Sequence, residues 1–153
     1  MVGPMTLRSQ EAPLVEWRPG VRTRLHASDA GAPASLCVIE QWCDPGLGAP
    51  THTHFEVEEV IAVVEGEAEV WVDDLRGTVS AGDSVLFPPH SQHGFRNVGE
   101  STLHIFGIFG AARPPVCYAD EPDTILEVGG RSPAMRDPHR AIRAQLRPQQ
   151  GDD

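Results

Sequence analysis

The 153-residue chain has the length of one domain with one core, and its net charge of −10 and pI near 5.0 exclude a basic nucleic-acid-binding surface. All 12 basic residues are arginine, which excludes lysine Schiff-base chemistry, and the acidic balance disfavours docking on anionic membranes. Cys37, Cys43 and Cys117 are an odd, sparse set, expected as small buried hydrophobes in a reducing compartment rather than as disulfides.

In chain order, residues 1–12 are polar and carry no apolar secretory core, and the longest apolar run, Val60–Val64, is far too short to span a bilayer. A cytoplasmic protein is therefore expected. Leu14–Arg18 reads as a short edge strand stopped by Pro19-Gly20. The alternation of Val21, Thr23 and Leu25 with Arg22, Arg24 and His26 predicts a half-buried strand. Turn residues at Asp29–Pro33 close an N-terminal arm, residues 1–33. A barrel region, residues 34–110, follows. Ser35–Cys43 predicts a central strand, broken by Asp44-Pro45-Gly46. From Thr51 to Gly110 turn signals at Glu65-Gly66-Glu67, Asp73-Asp74, Ala81-Gly82-Asp83 and Asn97-Val98-Gly99 punctuate short strands, which predicts an all-β antiparallel sandwich or barrel. Residues 111–153 are expected to wrap the barrel as extended chain. Within them Asp137-Pro138 and His139–Leu146 carry the start signals of one short helix, and Gln149–Asp153 form a disordered end.

One constellation stands out. Strand alternation puts His52 and His54 on the same face, where two imidazoles can share a cation. Glu59 lies an odd number of residues beyond His54, so the chain must turn or bulge between Phe55 and Glu58 for its carboxylate to rejoin them. His93 arrives from a later strand after the Pro88-Pro89 break. Three imidazoles and one carboxylate suit a divalent transition metal, Fe, Mn, Ni, Zn or Cu, and a buried carboxylate in such company would be costly without a cation.

These residues carry a family resemblance. Gly46, five residues, His52-Thr53-His54, four residues, Glu59, six residues and Gly66 resemble the cupin first motif. Gly82, five residues, Pro88-Pro89-His90, two residues, His93, three residues and Asn97 resemble the cupin second motif, with His90 standing where the family has glycine. The resemblance implies a double-stranded β-helix, or jelly-roll barrel, with the metal inside it on His52, His54, Glu59 and His93. It also implies metal-dependent enzymes acting on small oxygenated organic molecules. Dioxygenase-like chemistry is favoured over isomerase, cyclase or lyase chemistry and over a non-catalytic binding cupin.

Further expectations follow from position. His90 and Glu59 are candidate acid–base groups. Trp42, Val63, Trp71, Phe87, Phe95, His104 and Phe106 are candidates for the lining of a substrate pocket around the metal. The strand starting at Glu59 is apolar on both faces, with Ile61 and Val63 beside the ligand and Val60, Ala62 and Val64 opposite. A strand of that kind needs a cover on its outer face, and a homodimer is expected.

Overall fold

The computed structural model describes residues 8–12, 14–27 and 35–128. After a short 3-10 turn at Ser9–Glu11, the described chain forms twelve strands: β1 (Leu14–Arg18), β2 (Val21–Ala27), β3 (Cys37–Cys43), β4 (Gly48–Thr53), β5 (Glu59–Glu65), β6 (Glu67–Val72), β7 (Leu75–Ser80), β8 (Ser84–Phe87), β9 (His93–Asn97), β10 (Leu103–Phe109), β11 (Pro115–Tyr118) and β12 (Ile125–Glu127). They make two antiparallel sheets. The first has the order β1-β2-β3-β10-β5-β8 and the second β12-β11-β4-β9-β6-β7. This is the antiparallel jelly-roll architecture expected from the sequence.

Alternation builds the interior. In β5 Glu59, Ile61 and Val63 are buried, and in β6 Ala68 and Val70. In β10 the buried positions are Leu103, Ile105, Gly107 and Phe109. Val21, Cys43, Ile61, Val63, Ala68, Val70, Phe87, Phe95, Leu103 and Ile105 form the larger apolar cluster, and Cys37, Ile39, Val57 and Phe109 a second one. Burial pushes the Cys37 and Cys43 thiols up to about 12, with the Glu59 charge adding to the rise at Cys37. Both are inert packing atoms at neutral pH, as the sequence suggests, and all three cysteines are free.

The motif asparagine ties the lower end of the barrel together. Asn97 is buried, its Nδ2 donates to the carbonyls of Cys43 (3.0 Å) and Ser101 (2.8 Å), and its Oδ1 accepts from the Gly99 N–H (2.9 Å). One amide thus satisfies three backbone groups and joins the end of β3 to the turn that follows β9.

The ends of the barrel are larger than residues 34–110 suggest. The N-terminal arm supplies β1 and β2 to the first sheet, and the wrap supplies β11 and β12 to the second, with β11 paired to β4. The turn at Asp29–Pro33, the short helix at His139–Leu146 and the end at Gln149–Asp153 lie outside the described residues. Among the described residues no helix is long and apolar enough to cross a membrane.

Strand parity corrects four of the expected pocket residues. Trp42, His104 and Phe106 sit on the outer face of the first sheet, between inward neighbours Gln41, Cys43, Leu103 and Ile105. Trp71 sits on the outer face of the second, between Val70 and Val72. The two-residue period turns these side chains away from the barrel interior. On the outer face of the first sheet they meet an unanticipated group. The Glu40 carboxylate bridges His26 (2.6 Å) and His104 (2.8 Å), and Trp42 stacks on the His104 ring at 4.9 Å.

Candidate metal centre

Two local irregularities aim the ligands. In the β4–β9 pair, Ala49 faces Phe95 and His52 faces His93, so β4 carries one extra residue across Pro50-Thr51. Ala49 and His52 both point inward although they stand three positions apart, because the bulge shifts the parity. Proline suits that position, since a bulged residue makes no ladder hydrogen bond. The second irregularity is the expected turn after Phe55. Glu56 takes φ 59°, the strand breaks, and Glu59 restarts the chain as the first inward residue of β5. His93 opens β9 as an inward residue directly after the Pro88–Gln92 connection.

His52, His54, Glu59 and His93 are all buried, and their ligand atoms lie within 4.8 Å of one another, a grouping that can hold a metal ion. The hydrogen bonds on the far side of each ring decide what the near side offers. Nδ1 of His52 lies 2.7 Å from the Pro50 carbonyl, that of His54 2.7 Å from the Pro115 carbonyl, and that of His93 3.0 Å from the Ser91 carbonyl. A carbonyl only accepts, so these contacts favour the tautomer with the proton on Nδ1, in which each ring turns an Nε2 lone pair inward. Those three Nε2 atoms surround Glu59 Oε2 at 3.8, 3.3 and 3.1 Å. His54 Nε2 is fully buried with no hydrogen-bond partner. Four acceptors facing one point, with one orphaned, fit a cation. Imidazoles anchored by carbonyls at the other nitrogen are the usual arrangement of metal-bound histidine. Iron, manganese, nickel, copper and zinc all accept this donor set.

The surroundings are apolar. The His93 ring stacks on Phe87 at 4.5 Å, and the His54 ring meets Phe109 edge-on at 5.1 Å. Gly107 faces the quartet from β10; a Cβ there would lie 3.0 Å from Ile39 Cγ1 and 3.6 Å from Glu59 Oε1, so only glycine leaves that space free. Tyr118 stands opposite His52 on β11, its ring 5.5 Å from the imidazole. Burial raises the Tyr118 pKa, outweighing the opposing pull of Arg18, so its hydroxyl stays a donor. Burial alone would raise the Glu59 carboxyl, but the three imidazoles outweigh it and hold the group well below the usual carboxylate range. Burial lowers His52, and the neighbouring rings add to that.

Of the expected pocket residues, Phe87 touches the quartet, while Val63 and Phe95 lie inward in the larger cluster. His90 does not join it. It takes φ 65°, its side chain is 56% exposed, and its ring pairs with Glu56 at 3.2 Å. Its contribution is its backbone, whose N–H donates to the His54 carbonyl at 2.9 Å. The candidate acid–base role of this imidazole therefore loses its geometric basis, because a turn of left-handed conformation swings the ring outward. Phe109, Tyr118 and Gly107 were not singled out from the sequence. The alternation in β10 could have marked the first and last; Tyr118 gave no signal, because β11 is short and starts with proline.

A cupin-domain family model matches residues 42–109, which include both histidine motifs. Protein SchB of Streptomyces halstedii is 30% identical over 106 residues, spanning 68% of this chain and 76% of SchB. The chain belongs to the cupin superfamily. A second relative of this cupin, the uncharacterized protein MJ1618 of Methanocaldococcus jannaschii, is 32% identical over 76 residues; the match spans 50% of this chain and 57% of that one. Among solved structures, oxalate decarboxylase of Bacillus subtilis shares the fold with a TM-score of 0.66 at 19% identity, covering 74% of this chain and 31% of that one.

Replacing His52 or His93 by alanine is expected to abolish stoichiometric metal uptake, a loss beyond the roughly 10–100-fold typical of removing an outer partner, while His90→Ala keeps it. Elemental analysis after metal loading, with circular dichroism to check the fold, reads both. In the metal-free protein the folded-state pKa values of His52 and Glu59 both lie below their unfolded values. The unfolded chain then binds more protons, so denaturation should show stability present above about pH 6.5 and falling as the pH drops through the histidine and then the carboxylate range.

Proposed function

We propose that this cupin is a metal-dependent enzyme acting on a small oxygenated organic molecule held at the metal through two oxygens. The observation that carries the reading is the set of three imidazole Nε2 atoms, each anchored at Nδ1 by a carbonyl, around one buried carboxylate oxygen walled by Phe87 and Phe109. A divalent ion on these four ligands would supply Lewis acidity and, if redox-active, electron transfer. Glu59 halves the ion's formal charge, and the carbonyl anchors on Pro50, Pro115 and Ser91 hold the rings in place before substrate arrives. Phe87 and Phe109 keep water from the inner side. Tyr118, beside His52 with its proton retained, is placed to hydrogen-bond a substrate oxygen. The fold shared with a protein named oxalate decarboxylase is consistent with a substrate that offers two oxygens. Within this reading we favour dioxygenase-like chemistry. Its test is oxygen uptake by iron-, manganese-, nickel- and copper-loaded protein over a panel of enols, diketones and hydroxy acids. Uptake in at least one metal form, absent in His93→Ala, is the expected result. Turnover without oxygen uptake would transfer the reading to isomerase or lyase chemistry, and metal-independent ligand binding without turnover would leave a binding cupin.

We further propose that two copies pair through the outer face of the first sheet, in keeping with a cytoplasmic protein whose thiols are free. Val64, Leu86 and Ile108 are 46%, 54% and 38% exposed there, beside Val60 and Ala62. Glu40, the carboxylate at the outward positions of β3, is already held by two imidazoles, so self-association would not strand its charge. Light scattering at micromolar concentration should give twice the chain mass, and Val60→Glu should shift it towards one. A wild-type monomer mass contradicts the dimer.

A further inference from the structure

A cleft of about 420 Å³ lies on the side of the barrel where the edge of the first sheet meets β4. Its walls include Arg18, Pro19, Leu47, Pro50, Trp71 and Arg96. The volume suits a small organic ligand, for which sites of roughly 300–1,000 Å³ are usual. The quartet does not line it.

Its charge is anomalous for this protein. The chain holds 22 acidic residues against 12 arginines, yet the charged residues lining the cleft are arginines alone. Arg96 is occupied, its Nη2 donating to Glu69 at 3.0 Å. Arg18 is not. Among the described residues no carboxylate pairs with it, whereas Arg8, Arg22, Arg76 and Arg96 each have one. Its guanidinium lies 4.1 Å above the Tyr118 ring, and its Nε is buried with no hydrogen-bond partner. A planar donor fork held flat against a ring, with an inner N–H unused, is prepared for a carboxylate.

Trp71 gives the cleft a flat wall. Trp71 Nε1 donates to Thr51 Oγ1 at 3.0 Å, and Arg76 lies over the indole at 5.3 Å. The indole rests on Gly94, where a Cβ would come within 2.5 Å of Trp71 Cζ2. Glycine at that site lets the ring lie down on the sheet. One free guanidinium matches one negative charge. A phosphate dianion would keep a second charge uncompensated beside an acidic protein.

We propose that this cleft is a binding site for a planar organic carboxylate, with Arg18 holding the anion and Trp71 the ring, separate from the metal quartet. The site does not depend on the catalytic reading above. The probe is benzoate, with benzyl alcohol as its neutral counterpart, followed by the indole N–H resonance of Trp71 in the full-length protein, identified with Trp71→Phe. Benzoate should shift that resonance saturably and benzyl alcohol should not. Arg18→Gln should weaken benzoate by at least about tenfold, and Arg18→Lys should retain saturable binding. His93→Ala should bind benzoate as the wild type does. No saturable Trp71 shift, an equal response to benzyl alcohol, or unchanged affinity in Arg18→Gln would overturn the proposal. Loss of binding in His93→Ala would also overturn it, because the ligand would then sit at the quartet. The wild-type arms decide the matter even where a variant fails to fold.

Discussion

Four acceptor atoms meet inside the barrel, the Nε2 of His52, His54 and His93 and one oxygen of Glu59, and nothing in the surrounding protein donates to His54 Nε2. Lone pairs converging on a carboxylate oxygen in an apolar interior repel one another and strip each other of water, so the folded arrangement favours positive charge among them. A metal ion supplies it, whereas burial makes the His52 ring reluctant to supply it as a proton. The rest of the structure can be understood as the means of holding those four atoms together.

Holding them takes contributions from both sheets. His52 is in β4 and His54 just beyond its end, Glu59 starts β5 and His93 starts β9, so two connections, β4–β5 and β8–β9, converge on one end of the barrel. The carbonyls that fix the tautomers come from Pro50 in the bulge, Ser91 after the double proline and Pro115 at the start of β11. Two of those three acceptors are proline carbonyls, one in the bulge of β4 and one at the first residue of β11. Strain is accepted for the same end: Glu56 and His90 both adopt positive φ without being glycine, and they occupy facing turns joined by the His90 N–H to the His54 carbonyl. The other end of the barrel is closed by ordinary packing and by Asn97, which needs no ion.

The fold and the ligand set were largely legible in the sequence, because the period of two and the turn residues act locally. The need for a turn between Phe55 and Glu58 follows from parity alone, and Glu56 provides it. The bulge at Pro50-Thr51 was not legible, since it shows only when β4 is laid against β9. Trp42, Trp71, His104 and Phe106 are candidates for the pocket lining from the sequence, yet the neighbours on either side of each already occupy the inward positions. β11 and β12 were hidden because a four-residue strand starting with proline has no pattern of its own and exists by pairing with β4 and with its neighbour. With β11 went Tyr118, the ring that Arg18 stacks upon. The outer Glu40 bridge between His26 and His104 needed the register of three strands at once.

The central claim is that all three imidazoles keep the proton on Nδ1 and offer Nε2 to a cation. Long-range nitrogen–proton correlation spectra of zinc-loaded, 15N-labelled protein test it directly, because zinc is diamagnetic and the two ring nitrogens resonate apart. The account predicts a protonated Nδ1 and a zinc-bound Nε2 at His52, His54 and His93, with His90 not bound to zinc. A proton on Nε2 of any of the three, or coordination through Nδ1, would contradict it.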